Sequence, residues 1–392
     1  MAKVDHGTRK HALLSASGAS RWINCTPSPR LEEQFTNVET SYAAEGTLAH
    51  EFAELGIRKA MKQLTAKQYK AQTDQLYKSP LYSDEMDEEV QKHIDYVLAQ
   101  YMEAKRKTKD ALLLIEEKVD LTYFIEDGFG TCDDVIIADG TMEVIDLKYG
   151  KGVKVSAEDN SQLKLYGLGA LRAHELMYDI HTVRLTIVQP RLDSISSWEI
   201  SAEDLNKWGE EIVKPKAELA YAGEGDQQPG EWCRFCKAKG RCKALAEQNL
   251  QIAKHDFADP QLLTDKELIE AYKLMPQLQD WINGVAEYLL HEAVHNNKKW
   301  PEYKLVEGRS NRMWSDVEKV EAVLKENNFK EDEILVSKLA GITAIEKVVG
   351  KANFNTLLGK LVVKPQGKPT LVPETDKRPE YGLAQAQSDF SE

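Results

Sequence analysis

Apolar positions recur along this chain with two periods, and the switches between them mark out its elements. Between residues 41 and 62, Ala44, Leu48, Phe52 and Leu55 fall three or four apart, which predicts a helix with one buried face. A second helix is predicted over 84–107. Ser83 stands at its N-cap, and Asp84, Glu85, Asp87, Glu88 and Glu89 suit its positive end. From Leu112 to Val119 the pattern becomes strand-like. The runs Val135–Ala138 and Met142–Ile145 then flank Asp139-Gly140, a two-residue turn of the kind that takes positive φ, and so predict a tight hairpin. Ser156-Ala157-Glu158-Asp159 has the form of a capping box opening a helix over 157–175. Val183–Gln189 reads as a strand ended by Pro190, and Ser201-Ala202-Glu203-Asp204 opens another helix.

Further on, the polar loop 224–231 leads into a cysteine-rich segment, and residues 251–297 are acidic and helical. Within them Trp281, Val285, Leu289 and Ala293 make an apolar face of the kind that usually packs in a core. A short β stretch at Tyr303–Val306 and helices near 315–327 and 337–349 follow. From 379 there are few apolar residues, and the end reads as disordered. The expected division is a first domain over 1–250, an accessory region over 251–378 and a tail over 379–392.

The hairpin register carries chemistry. A two-residue loop at Asp139-Gly140 sets Ala138 opposite Thr141, Val135 opposite Val144 and Asp133 opposite Asp146. Opposed residues share a face with Cβ atoms about 4.5–5.5 Å apart. Alternation puts Lys148 on the face of Asp146 and turns Asp134 to the other. Val135 and Ile137 follow Asp133, whereas Ile136 and Ile145 lie opposite, so both faces read as buried. Two opposed buried carboxylates need a cation between them. A divalent ion such as Mg²⁺ fits, and a lysine beside it could orient or deprotonate an attacking water, as in phosphodiester hydrolysis. The plainer alternative is a solvated hairpin with surface charges.

Composition narrows the setting. The chain has 392 residues, 42% of them hydrophobic, and no apolar run near the length of a membrane span. Its N-terminus lacks a signal-like apolar stretch. The net charge of -13 excludes binding to nucleic acid by bulk charge but leaves room for a local basic groove. Five cysteines are too few for a disulfide scaffold and suit a reducing cytoplasm. Cys233-x2-Cys236-x5-Cys242 has metal-ligand spacing and lacks a fourth ligand, with Cys25 and Cys132 remaining.

Several of these residues carry a resemblance. Gly130-Thr131-Cys132-Asp133 followed by Asp146-Leu147-Lys148 resembles the signature of the PD-(D/E)XK nuclease superfamily, with Cys132 in the place of the usual proline. Gln162-x-x-x-Tyr166 resembles the Q-x-x-x-Y motif of RecB-like nucleases, and Gly46-Thr47-Leu48-Ala49-His50 resembles their first motif, whose histidine completes the metal site. Leu14–Asn24 ahead of Cys25 resembles the Ser-rich opening of AddB-type and CRISPR-associated iron–sulfur nucleases, whose lone N-terminal cysteine joins three C-terminal ones. Their usual Cys-Pro is Cys25-Thr26-Pro27 here. The loops at 308–314 and 364–379 resemble the tail of a phage and prophage family with this layout.

The resemblance implies an α/β fold: a restriction-endonuclease-like mixed sheet flanked by helices, with a four-cysteine iron–sulfur lobe and a mainly helical C-terminal accessory region. It implies a metal-dependent DNA nuclease, an exonuclease or DNA-end processor of phage recombination or replication in the bacterial host cytoplasm. His50, Asp133, Asp146 and the Leu147 carbonyl would hold Mg²⁺ or Mn²⁺, Lys148 would activate or orient water, and Gln162 and Tyr166 would position the site. Cys25, Cys233, Cys236 and Cys242 would hold a [4Fe–4S] cluster that clamps the N-terminus to the end of the nuclease domain, with Zn²⁺ held by the same four cysteines as the rival. Arg21, Lys151, Lys154 and Lys164 are the expected DNA contacts. A phage single-strand-binding or annealing protein is the expected partner, and the absence of a Walker A pattern puts any motor on another chain. The alternatives are a catalytically inactive nuclease fold serving DNA binding or assembly, and a zinc-stabilised adaptor whose hairpin acids lie on the surface.

Overall fold

The computed structural model describes residues 12–35, 41–253, 265–308, 312–334, 341–363, 369–373 and 379–381. Most of the expected tail lies outside them. So do 254–264 of the acidic helical stretch, 335–340 at the start of the helix predicted over 337–349, and much of the loops at 308–314 and 364–379. The chain divides into two compact units, Met1–Trp281 and Ile282–Glu392.

The first unit opens with two short helices, α1 (Ala19–Asn24) and α2 (Ser28–Glu32), followed by α3 (Ser41–Ala60), α4 (Ala66–Leu76) and α5 (Asp84–Lys107). The two long helices follow the predicted periods. Ser83 holds the N-cap position of α5 but makes no side-chain cap bond, so the acids of the first turn supply the favourable charge there. Helix α4, opened by a Thr65–Gln68 capping box, has no counterpart in the sequence reading.

Five strands follow: β1 (Leu112–Asp120), β2 (Phe129–Ala138), β3 (Gly140–Leu147), β4 (Ile180–Gln189) and β5 (Ser194–Ser201), side by side in that order. All neighbours are antiparallel except β3 and β4, which run parallel and are joined through α6 (Ser161–His174). The sheet is therefore mixed and flanked by helices, as expected. Helix α6 begins later than its predicted start. Asn160 caps it by accepting from the N–H groups of Gln162 and Leu163, while the Ser156 hydroxyl serves a loop turn to Glu158. Strand β5 was not foreseen, because serines hold half of its eight positions. The helices α7 (Ala202–Trp208), α8 (Lys214–Ala222) and α9 (Lys243–Ala253) complete the described part before residue 254. Ser201 caps α7 by accepting from Asp204 N–H, as the sequence indicates. Residue 250, the expected end of the first domain, lies within α9.

The hairpin has the expected register, with Ala138 opposite Thr141, Val135 opposite Val144 and Asp134 opposite Ile145. Only Gly140 takes positive φ, at +82°, so one turn residue rather than two needs that freedom. Val135, Ile137, Met142 and Val144 pack in one core with Leu163, Leu165 and Leu168 of α6. Ile136, Ile145 and Leu147 pack in another with Leu48, Phe52 and Ile57 of α3 and Met86, Val90, Ile94 and Val97 of α5. Both faces of the sheet are buried, which is what the uninterrupted apolar runs require.

Alternation fails at one level of the sheet. Ile115 and Ile136 belong to the α3/α5 core, yet Val119 and Cys132, each four residues away, belong to the α6 core. The reversal falls at Glu116, whose φ is +52°. Arg58 Nη2 donates to the Ile115 carbonyl next to it at 3.1 Å and holds the kink.

Helix α10 (Asp265–His295) runs across the boundary between the units. Beyond it come β6 (Tyr303–Glu307), β7 (Met313–Trp314), α11 (Val317–Glu326), α12 (Glu331–Ile334), α13 (Ile342–Val349), α14 (Lys351–Leu358), β8 (Val362–Val363) and β9 (Pro369–Pro373). Helices α11 to α14 share a small core of Val320, Leu324, Ile334, Ile345, Phe354 and Leu358. The strands pair as two short ladders, β6 with β9 and β7 with β8.

Close approach of α6 to β1 depends on Gly169. A Cβ there would lie 2.7 Å from Val119 Cβ. Gly169→Ala is expected to cost about 1–3 kcal/mol through overpacking, read as a lower midpoint in urea unfolding.

Candidate functional site

The reversal level is also where the acids meet. The registers of β1, β2 and β3 set Glu116, Asp133 and Asp146 in one row across three adjacent strands. The ladder is open there. Strands β1 and β2 pair at Ile115–Asp134 and Glu117–Cys132 but not between, and the β2–β3 pairing stops at Asp134–Ile145. The Asp133 side chain takes over, its Oδ2 accepting the Leu147 N–H at 2.7 Å. Leu147 thus serves here through its amide.

Positive groups border this row. Lys148 Nζ stands 2.8 Å from Asp146 Oδ2 and donates to Gln162 Oε1 at 3.1 Å. Gln162 Nε2 donates to Asp146 Oδ1 at 3.2 Å and to the Tyr166 hydroxyl at 3.1 Å. His50, from α3, puts Nδ1 3.2 Å from Asp133 Oδ1. Six residues singled out in the sequence, His50, Asp133, Asp146, Lys148, Gln162 and Tyr166, therefore come together.

Burial and charge oppose each other across the group. Desolvation works to lower the pKa of His50, but the Asp133 carboxylate overrides it and raises the pKa to about 9. Desolvation works to raise Asp133, and His50 overrides that and holds it below the ordinary carboxylate value. Burial raises Asp146 in spite of Lys148. Desolvation works against the Lys148 ammonium, yet Asp146 raises its pKa above the usual lysine value. The donor set suits a divalent cation: buried carboxylates and an imidazole.

Two functional candidates escaped the sequence reading. Glu116 is raised to about 7, by burial first and then by Asp133. One ligand atom each from His50, Glu116 and Asp133 lie within 4.8 Å of one another. The adjacent acids Glu116-Glu117 inside an apolar strand were the available signal. His93 is wholly buried on α5, its Nε2 3.0 Å from Asp134 Oδ2. Its place on the stripe Met86, Val90, His93, Val97 marked it as inward-facing.

A family model described as "Protein of unknown function (DUF2800)" matches residues 11–379. The chain belongs to the DUF2800 family. A solved structure described as "Crystal structure of SSO0001" is similar over 56% of this chain and 95% of its own, at 16% identity and a TM-score of 0.22.

Cys25, Cys233, Cys236 and Cys242 line one cavity, beside Arg21 and Trp232. They do not form a tight group: among the described residues, no three of these sulfurs lie within 4.8 Å of one another. Burial raises the thiols of Cys25 and Cys233, and that of Cys236 to about 12. Backbone N–H groups face the sulfurs, from Gln228 and Ser28 to Cys25, Gly230 to Cys233 and Ala238 to Cys236. Cys132 is fully buried in the α6 core, apart from that cavity.

Protein contacts alone tie the N-terminal segment to this region. The Thr26 hydroxyl donates to the Glu224 carbonyl, Arg30 Nε to the Tyr221 carbonyl and Lys237 N–H to Glu32 Oε1, all within 2.7 Å. Gly223 and Gly225, at φ +76° and +94°, let the strands of chain approach, since a Cβ would meet Arg30 and Thr26.

The expected DNA contacts fare unequally. Lys154 is exposed. Arg21 pairs with Glu32 at 3.0 Å, and Lys151 pairs with Glu85. Lys164 is buried, its ammonium against Asp159 and 4.0 Å from the Trp208 ring centre, and has little surface to offer a phosphate. Among the described residues no helix is long and apolar enough to cross a membrane.

The buried His93–Asp134 pair supplies a test of packing apart from chemistry. His93→Leu strands the Asp134 carboxylate and is expected to cost about 3–5 kcal/mol. The double variant His93→Leu/Asp134→Leu is expected to cost less than the sum of the singles in urea unfolding.

Proposed function

We propose that this protein is a metal-dependent nuclease that hydrolyses phosphodiester bonds in DNA. The observation that carries the reading is the convergence of Asp133, Asp146 and Lys148 where the sheet ladder opens, with Gln162 and Tyr166 bracing Asp146 and Lys148 from α6. A binding or assembly module gains nothing from buried, opposed carboxylates, which only weaken it.

In this reading Asp133, Asp146 and His50 hold a divalent ion, which when bound acidifies a water and offsets phosphate charge. Lys148 keeps its proton in the ion pair with Asp146, so it orients the water and stabilises negative charge as a donor. Gln162 fixes the Lys148 ammonium and the Asp146 carboxylate at once, through its Oε1 and Nε2. In the reaction the water oxygen bonds to phosphorus, one phosphorus–oxygen ester bond breaks, and the departing oxygen gains a proton.

We assign the four-cysteine cavity to a [4Fe–4S] cluster. The four cysteines line one cavity, and backbone amides face three of the sulfurs, as thiolate ligands of a cluster require.

The deciding assay follows end-labelled linear and circular DNA with Mg²⁺ or Mn²⁺. The parent is expected to cleave, and Asp133→Asn, Asp146→Asn and Lys148→Ala each to lower the rate at least about 100-fold, since each removes a group acting on the transition state. The melting temperature of Asp146→Asn should not fall below the parent's, because burial already disfavours that carboxylate, whereas Lys148→Ala leaves Asp146 buried without its cation and is expected to melt lower. An inert parent would end the nuclease reading.

Metal analysis tests the cavity separately. Protein purified without oxygen is expected to hold about four iron atoms per chain, as for one cluster bound by four cysteines, and Cys236→Ser to lose them. Stoichiometric zinc without iron would overturn that assignment and leave the nuclease reading intact.

A further inference from the structure

The other face of β3 carries a buried acid of its own. Strand alternation turns Glu143 away from Asp146 and toward α5. Glu143, Arg184 and Glu199 stand opposite one another across β3, β4 and β5. The Glu143 side chain is 9% exposed. Its Oε1 accepts from the Thr186 hydroxyl at 2.7 Å and from the Tyr96 hydroxyl at 3.2 Å. Thr186 is in turn 3.0 Å from the Ser197 hydroxyl. The other oxygen, Oε2, accepts no hydrogen bond among the described residues. Arg184 does not supply one. Its Nε and Nη2 lie 2.9 and 2.7 Å from Glu199 Oε1, which leaves Nη1 4.0 Å from Glu143 Oε2.

Glu143 lines a groove of about 80 Å³ between the last turns of α5 and the sheet. Helix α5 borders it with Glu103, Ala104 and Lys107, and the sheet with Ile136 and Arg184. The cations at its edge are already paired, Lys107 with Glu103 at 3.6 Å and Arg184 with Glu199. Two carboxylates are left over, Glu143 on the floor and the exposed Asp139 at the mouth. A cavity of this size seats about five water-sized groups.

We propose that this groove binds a primary ammonium group on a short aliphatic stem, the ammonium on Glu143 Oε2 and the stem along Ile136 and Ala104. The site lies on the opposite face of the sheet from the proposed nuclease centre and does not depend on it. An ammonium is a compact donor that one free oxygen can take, whereas a guanidinium presents a fork that needs two. A metal ion is poorly served, because among the described residues no three ligand atoms of His, Cys, Asp or Glu here lie within 4.8 Å of one another.

The choice of residue points the same way. A glutamine at 143 could accept from Thr186 and Tyr96 equally well without burying a charge. Burial pushes the Glu143 carboxyl above its ordinary value in spite of Thr186, so the empty groove disfavours the ion that the hydroxyls hold in place. A buried carboxylate kept in one orientation by three hydroxyl-bearing side chains, with its second oxygen open to a groove, is organised for a cation that arrives from outside.

Ligand-observed nuclear magnetic resonance on the full chain tests this, with n-butylamine as the probe and n-butanol as its uncharged counterpart. The amine is expected to bind with a dissociation constant of about 1 mM, ordinary for so small a ligand, and the alcohol not to bind. Glu143→Gln is expected to weaken the amine at least about 10-fold, the loss of one charged hydrogen bond. Ala104→Phe, which fills the groove from α5, is expected to abolish binding and decides the matter if the glutamine variant does not fold. Glu218→Gln removes the same charge from an exposed position on α8 and is expected to bind as the parent does. No binding by the parent, parental affinity in Ala104→Phe or in a folded Glu143→Gln, or an equal loss in Glu218→Gln would each overturn the proposal. Nα-acetyl-lysine methylamide separates the two sources of such a group. Affinity at or above that of n-butylamine upholds the site as one for a partner's lysine, and affinity at least about 10-fold lower upholds it as one for a free amine.

Discussion

Three carboxylates lie in a row across adjacent strands of a sheet that is covered on both faces. At a strand spacing of about 5 Å and an effective dielectric constant of about 20, each adjacent pair repels by about 3 kcal/mol if both are charged. The surroundings of the row answer that repulsion. Lys148 and Gln162 take up Asp146, the Leu147 amide and His50 take up Asp133, and burial leaves Glu116 easily protonated. The helices that cover the sheet are also the ones that supply these groups, His50 from α3 and Gln162 and Tyr166 from α6.

The sheet itself is shaped to this end. Continuous ladders on both sides of Asp133 would use its backbone for pairing and keep its neighbours at ordinary strand geometry. Instead both ladders open at Asp133, the apolar faces exchange across Glu116, and Arg58 secures the kink from outside. Below the break Val119 and Cys132 pack under α6, and above it Ile115 and Ile136 pack under α3 and α5. The break sets the acids at the junction of the two cores, where side chains of α3 and α6 reach them.

The N-terminal segment meets residues 221–242 through hydrogen bonds that need no bound group. The cysteine cavity therefore lies on a join already made by Thr26, Arg30 and Glu32. A cluster in that cavity would reinforce the join rather than create it. Glu32 serves both ends, since one of its oxygens takes the Lys237 amide and the other Arg21 beside the cavity.

Local rules were enough for much of this. The hairpin register follows from a two-residue turn between apolar runs, and it alone brings Asp133 and Asp146 to one level and turns Asp134 away. The helical period located α3 and α5, and with them the elements carrying His50 and His93. What local rules missed depends on contacts between distant segments. Glu116 lies in a stretch that reads only as strand-like, and the reversal there shows only in its pairing with β2 and the two cores. Lys164 counted as a surface charge until packing set it over Trp208, and Asn160 displaced the Ser156 box as the cap of α6. A sequence fixes periodicity and turn chemistry because these act over a few residues. Which buried acids share a cation, and which lysines remain free, depends on chain segments tens of residues apart, and only the folded packing decides that.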